Sequence, residues 1–211
     1  MEAGYGIELD VRLTLDGMPV VLHDAQLARV TGVGGRVADL RFEDLARRRL
    51  VGTGETVPTL PQVLGLVRGR VPVMVEVKSL RLTPGRIEPV VASVLDAYDG
   101  PVCVASFNPR TIGWFQQHRP QIPRVLTAGP LHGFPLPASL RRRLANLRDV
   151  TLLQPAAVSY ELVGLPTAAT DRWRASGRPL VAWTVASPAD LARAREHADN
   201  VIFERVRPTP R

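Results

Sequence analysis

With 211 residues, 45% of them hydrophobic and 22% charged, the chain has the size and make-up of one globular domain with a substantial core. A net charge of +7 raises the possibility of nucleic acid as a partner. The arginines are scattered, however, with short clusters only at Arg47–Arg49 and Arg141–Arg143 on helix-like segments, and 5% aromatic residues leave no stacking platform, so nucleic acid is excluded. No apolar run approaches the roughly 20 residues a membrane helix needs, MEAGYGIELD has no signal-peptide pattern, and the single Cys103 reads as a small core residue without an internal disulfide; a cytoplasmic location is the expectation.

The chain opens with a hairpin pattern, GIELDVRLTLDGMPVVLHD at Gly6–Asp24. Glu8 and Asp10 are two apart within an apolar, β-prone run, so a strand over Gly6–Thr14 turns both carboxylates to one face. A turn at Leu15-Asp16-Gly17 leads into a second apolar run, Pro19–Leu22, which ends on His23-Asp24. Two carboxylates on one buried face are costly to keep charged without a cation between them. Oxygen donors of this kind suit Mg²⁺, Ca²⁺ or Mn²⁺ rather than zinc. The plainer alternative is a core-facing carboxylate paired to an arginine. His23 offers a general acid or base at the end of the hairpin.

Further along, Thr31–Val37 (TGVGGRV) is glycine-rich but lacks the lysine and hydroxyl of a phosphate-binding loop, and predicts a turn. Phe42–Leu50 and Leu60–Val67 have helical spacing, with a loop at Thr56–Pro58. The next strand, Pro72–Lys78 (PVMVEVK), places Glu76 and Lys78 on one face. Lys78 is the only lysine; every other cationic side chain besides histidine is arginine. A compact ammonium beside a carboxylate is not interchangeable with a planar guanidinium.

From there helices and strands alternate. Helices are predicted over Pro84–Tyr98, Pro109–His118, Pro137–Leu147, Pro166–Ala175 and Pro188–Glu196. Strands are predicted at Val102–Ala105, Pro123–Thr127, Val150–Leu153, Pro179–Thr184 and Asn200–Phe203. This alternation predicts a parallel sheet covered by helices, with seven sheet strands once Gly6–Thr14 and Pro72–Lys78 are included.

The opening block GIELDVRLTLDGMPVVLHDAQLARVTG, then VPTLPQVL, PVMVEVKS, VASFNP, GRPLVAWTV and HADNVIFE resemble the glycerophosphodiester phosphodiesterases over nearly the whole chain. The resemblance implies a TIM-type (β/α)₈ barrel of the phospholipase-C-like phosphodiesterase kind, with catalytic groups at the C-terminal ends of strands. It also implies a metal-dependent hydrolysis of glycerophosphodiesters to glycerol 3-phosphate and an alcohol, in lipid and glycerol metabolism. Carried over by position, Glu8, Asp10 and Glu76 would hold Mg²⁺ or Ca²⁺, Lys78 would contact the phosphate, and His23 would act as general acid or base. Phe107 and Trp183 would line the glycerol pocket. In the family the glycerol 2-hydroxyl attacks phosphorus, and water then opens the cyclic phosphate.

Two departures stand out against the family pattern. Seven strands are one short of eight, and the family's first strand, ending in His-Arg-Gly, with the following Pro-Glu-Asn-Thr helix start, has no counterpart here. The expectation is an N-terminally incomplete single domain, with Met1 an internal methionine of the first helix and unpaired edges on the strands Gly6–Thr14 and Asn200–Phe203. The C-terminal VIFERVRP also lacks the Thr-Asp that often ends the last strand, though Glu204 supplies a carboxylate. His118 and His197 are expected at the surface; His132, in the loop TAGPLHGF just after a strand, could reach the site but reads first as an ordinary loop histidine. A catalytically inactive barrel that binds a phosphorylated ligand is the second reading.

Overall fold

The structure, a computed structural model, describes residues 2–79, 84–134 and 136–209; Met1, whose place in a helix was expected from the sequence, lies outside them. In chain order the hairpin β1 (Ile7–Leu13) and β2 (Pro19–Val21) is followed by the short helices α1 (Ala28–Thr31) and α2 (Phe42–Ala46), and then by α3 (Leu60–Val67) and β3 (Val73–Val77). The alternating part runs α4 (Glu88–Asp96), β4 (Val102–Ser106), α5 (Pro109–His118), β5 (Arg124–Ala128), α6 (Ala138–Ala145), α7 (Val150–Leu153) and β6 (Ala157–Glu161). It ends with α8 (Ala168–Ala175), β7 (Leu180–Val185), α9 (Pro188–His197) and β8 (Asn200–Phe203).

The eight strands form one sheet in the order β2-β1-β3-β4-β5-β6-β7-β8. All pairs are parallel except β1 with β2, so seven parallel strands carry the sheet, the number expected from the sequence. The sheet curls until its ends approach: Tyr5, just before β1, stacks edge-on against Phe203 of β8 with ring centroids 4.9 Å apart. No backbone pairing joins β1 to β8 among the described residues. Instead a cavity of about 870 Å³ separates them, lined by Gly6, Ile7 and Glu8 on one side and Asn200, Val201 and Ile202 on the other. The expected unpaired edges are therefore present, with one correction. The upper part of β1, Val11–Leu13, pairs with β2, so only its lower part is open.

Local signals explain most element ends. Thr59 and Gln62 form a reciprocal capping box at α3, with Pro61 in its first turn, and Thr167 with Thr170 does the same at α8. Asn108 and Ser187 cap α5 and α9. At the hairpin turn the Thr14 hydroxyl donates to Asp16 (2.6 Å) and accepts from the Met18 N–H (2.9 Å), while Gly17 adopts φ +84°. Outward-facing Val11, Val75 and Val104 are fully buried under α3, α4 and α5, and a second cluster packs beneath β5–β8 around Leu126, Tyr160 and Leu180.

Several expected boundaries require correction. The run Val150–Leu153 is helical, and the sixth parallel strand is Ala157–Glu161. Leu152 is 75% exposed, Gln154 closes the turn at φ +44°, and Pro155 blocks continuation, so the apolar run has no second face to bury in a sheet. The helix expected from Pro84 begins at Glu88, with Pro89 in its first turn. That expected over Phe42–Leu50 stops at Ala46, because Arg49 enters an antiparallel bridge with Thr56. Pro137 and Thr167 are N-caps rather than first-turn residues. Cys103 is half-buried and lines the cavity at the β1–β8 gap.

Candidate active site

Strand register brings the predicted carboxylates together. Asp10 of β1 is the direct partner of Glu76 in β3, and Ala105 and Val125 continue that row across β4 and β5. Paired residues in adjacent strands point to the same side, so Glu8, Asp10 and Glu76 all face the inside of the curled sheet. Their carboxylate oxygens lie within 4.8 Å of one another.

The electrostatics of this cluster are strained in a specific way. Burial, then the charges of Asp10 and Glu76, push Glu8 up to about 8. Burial likewise raises Glu76, against the lowering effect of Lys78. Lys78 lies 2.8 Å from Asp10 Oδ1 and 2.5 Å from Glu76 Oε1. Burial opposes its charge, but the two carboxylates outweigh that cost and hold its pKa above the ordinary lysine value. Three converging carboxylates with one internal cation remain short of positive charge, and their donor set is all oxygen. The cluster can therefore bind a metal ion, and its chemistry fits a hard divalent cation.

His23 follows β2, and its ring is 67% exposed. Asp10 reaches the same corner through its backbone, its carbonyl accepting from Leu22 N–H at 2.9 Å. Arg12, two residues beyond Asp10, donates from Nε and Nη2 to the His23 carbonyl at 2.9 and 2.7 Å. Phe107 follows β4, and its ring lies 5.5 Å edge-on from that of Trp183 on β7 and 5.5 Å from Lys78 Nζ. Trp183 Nε1 is buried without a hydrogen-bond partner among the described residues.

Not every polar group at a strand end joins the cluster. Ser106, at the end of β4, donates its hydroxyl to the Val77 carbonyl at 2.8 Å and so ties β4 to β3. In the loop after β5, Phe134 is what packs on the aromatic pair, 5.3 Å from Phe107 and 6.0 Å from Trp183. His132 lies in the turn before it. Sequence reasoning missed Phe134, although its position just after a strand end was a usable signal. It also missed Arg12 and Arg29, the second of which grips Asp24, because their partners are set by loop geometry. His118 stacks on Trp114 at 4.3 Å and is exposed as expected, whereas His197, 3.7 Å from Glu196, is half-buried at the end of α9. Glu204 pairs with Arg205 at 3.6 Å just past β8.

A curled, mostly parallel α/β sheet with acidic and cationic groups gathered on its inner face is a barrel-type layout. The sequence model of the Glycerophosphoryl diester phosphodiesterase family matches residues 1–206, and the chain belongs to that family. It is 36% identical over 139 residues to a glycerophosphodiester phosphodiesterase of Bacillus altitudinis, covering 60% of this chain and 56% of that protein. It is 31% identical over 215 residues to a Mycobacterium tuberculosis protein described as probable glycerophosphodiester phosphodiesterase 2, covering 95% and 76%. The chain thus spans little more than half of the first of these relatives and about three quarters of the second. In fold it is similar to an Oleispira antarctica phosphodiesterase solved with its product sn-glycerol-3-phosphate, with TM-score 0.77, 20% identity and coverage of 93% and 79%. A glycerophosphodiester phosphodiesterase from Parabacteroides distasonis gives TM-score 0.75 at 21% identity, with coverage of 94% and 79%. No helix among the described residues is long and apolar enough to cross a membrane.

Proposed function

We propose that the chain hydrolyses glycerophosphodiesters to glycerol 3-phosphate and an alcohol, with Mg²⁺ or Ca²⁺ as cofactor, in cytoplasmic lipid and glycerol metabolism. The observation that carries this reading is the convergence of Glu8, Asp10 and Glu76 on the inner face of β1 and β3, with Lys78 paired to Asp10 and Glu76. Family membership supplies the substrate class. Glu8, Asp10 and Glu76 would hold the ion, which when bound neutralises phosphate charge. Lys78 orients a phosphate oxygen, and the ammonium adds charge where the transition state becomes more negative. His23 exchanges a proton with the attacking or departing oxygen. Phe107 and Trp183 enclose the glycerol carbons, and the unpartnered Trp183 N–H is a donor for one glycerol hydroxyl.

A second reading, an inactive barrel that binds a phosphorylated ligand, has one observation in its favour. His118 and His197 lie at helix ends, and His23 is the histidine whose backbone is bonded to the carboxylate strand β1 through Arg12, while the two-step chemistry needs both a proton acceptor and a donor. Release of glycerol 3-phosphate from glycerophosphocholine, with and without chelator, separates the two. The expected result is turnover with Mg²⁺ or Ca²⁺, little with chelator, and about a hundredfold loss of kcat/KM in Glu76→Gln, the scale of losing one preorganised electrostatic contact. Added metal should also raise Tm in the parent and hardly at all in Glu76→Gln. Binding of glycerol 3-phosphate without turnover supports the second reading, and a parent without either response sinks both.

A further inference from the structure

The residues after β2 form a chain of contacts that no role assigned above requires. Asp24 Oδ1 lies 2.9 Å from His23 Nδ1. Arg29, near the start of α1, grips the same carboxylate with both arms of its guanidinium, Nε to Oδ2 at 2.6 Å and Nη2 to Oδ1 at 2.9 Å. Such a fork fixes a carboxylate in both position and plane. Of the three side chains Asp24 is the best covered, 18% exposed against 67% for His23 and 72% for Arg29. From the other side, Arg12 holds the His23 carbonyl with two donors. The backbone of His23 and the Nδ1 edge of its ring are thus tethered separately, and Nε2 is the ring nitrogen with no tether among the described residues.

We propose that Asp24, locked by Arg29, is the positioning residue for His23: it accepts the Nδ1 proton and leaves Nε2 as the atom that exchanges a proton with the substrate. This rests on the acid/base reading of His23. The hydrogen bonds from Arg29 and then from His23 hold the Asp24 carboxyl down at about 2, so it is ionised near neutral pH. An ionised carboxylate only accepts, so the proton on the shared edge belongs to Nδ1. A nucleophile or base oriented by a third group is a recurrent way of fixing which imidazole nitrogen acts. Arg12 keeps the backbone from swinging the ring away when the Asp24 contact is strained. The competing account makes Asp24 and Arg29 a loop staple that touches stability alone.

The test joins a spectroscopic readout with kinetics on the whole chain. In ¹⁵N-histidine spectra, with His23→Gln supplying the assignment, the neutral His23 ring should be the Nδ1–H tautomer, and Asp24→Ala should shift it towards Nε2–H. Asp24→Ala should lower kcat on glycerophosphocholine about a hundredfold with KM within about twofold, and Arg29→Lys should retain part of the difference. Asp24→Asn serves if the alanine variant fails to fold, with the same direction of change. An Nε2–H tautomer in the parent overturns the proposal, as does a kcat unchanged in both Asp24 variants while Tm falls. If His23→Gln is as active as the parent, the acid/base reading fails, and the parent's tautomer still decides whether Asp24 orients the ring.

Discussion

The junction of β1 with β3 and the gap between β8 and β1 lie on opposite sides of one strand and are built by different means. At the first, five consecutive Cα partners from Ile7–Val73 to Val11–Val77 fix the register, and the charged residues inherit their positions from the backbone. At the second, side chains bridge what the backbone does not: the Tyr5 ring meets Phe203, and its hydroxyl donates to the Pro208 carbonyl at 2.6 Å, across a cavity of about 870 Å³. Glu8 belongs to both regions, since it faces the carboxylate cluster and lines the cavity. The carboxylate cluster is placed by ladder hydrogen bonds, which leave little freedom, while the sheet's closure hangs on a few contacts of side chains. The two regions should therefore respond differently to substitution.

The largest effect on stability is expected at the gap. Tyr5→Ala removes the edge-on ring contact and the hydrogen bond to Pro208. An aromatic pair and a hydrogen bond together contribute about 2 kcal/mol, which lowers Tm by about 4–8 °C for a domain of this size. With the lower edge of β1 and all of β8 less protected, self-association should also rise with concentration, visible by sedimentation. Tyr5→Phe should lose about half as much. A Tyr5→Ala protein with unchanged Tm would show that the gap contributes nothing to holding the sheet curled.

At the β1–β3 junction the expected effect is on function. Lys78→Arg keeps the charge but replaces a point ammonium, seated between Asp10 and Glu76, with a planar fork on a longer stem. Activity should fall about tenfold with Tm changed by less than the Tyr5 effect. Equal activity would mean that any cation suffices there, and that the sole lysine among so many arginines has no functional meaning.

How much of this was legible beforehand follows the same division. Glu8, Asp10, Glu76 and Lys78 could be read because period-two spacing within a strand fixes the face, and the face is all their grouping requires. The strand at Ala157–Glu161 escaped because its interior positions carry Ser159 and Glu161, while a four-residue apolar run at Val150–Leu153 imitated it. A fully buried strand need not look apolar when one face lines a polar site. The grip of Arg29 on Asp24 and of Arg12 on the His23 carbonyl depends on how a loop folds back over β1, and no periodicity encodes that. The gap could be expected only from a strand count, and the Tyr5 bridge across it only from three dimensions.

The smallest effect lies in the pH response of the residue that both regions share. Burial, reinforced by Asp10 and Glu76, raises Glu8 from the usual carboxylate range to about 8. A carboxylate raised in the folded state holds its proton there while the unfolded chain has already released it. The folded form binds more protons across that window, so stability must fall as pH rises from about 4.5 towards 8. Without divalent metal, Tm should therefore decline over this range, and Glu8→Gln, which carries no charge at any pH, should flatten the decline. A bound cation favours the ionised carboxylate and competes with the proton. Mg²⁺ or Ca²⁺ should accordingly bind more tightly as pH rises through about 8, release protons on binding, and offset part of the alkaline loss of Tm in the parent but not in Glu8→Gln. A calorimetric titration in two buffers of different ionisation enthalpy measures the proton release directly. If no proton is released near neutral pH, Glu8 is already ionised beside its neighbours, and the charge shortage inferred for the cluster is relieved by Lys78 alone.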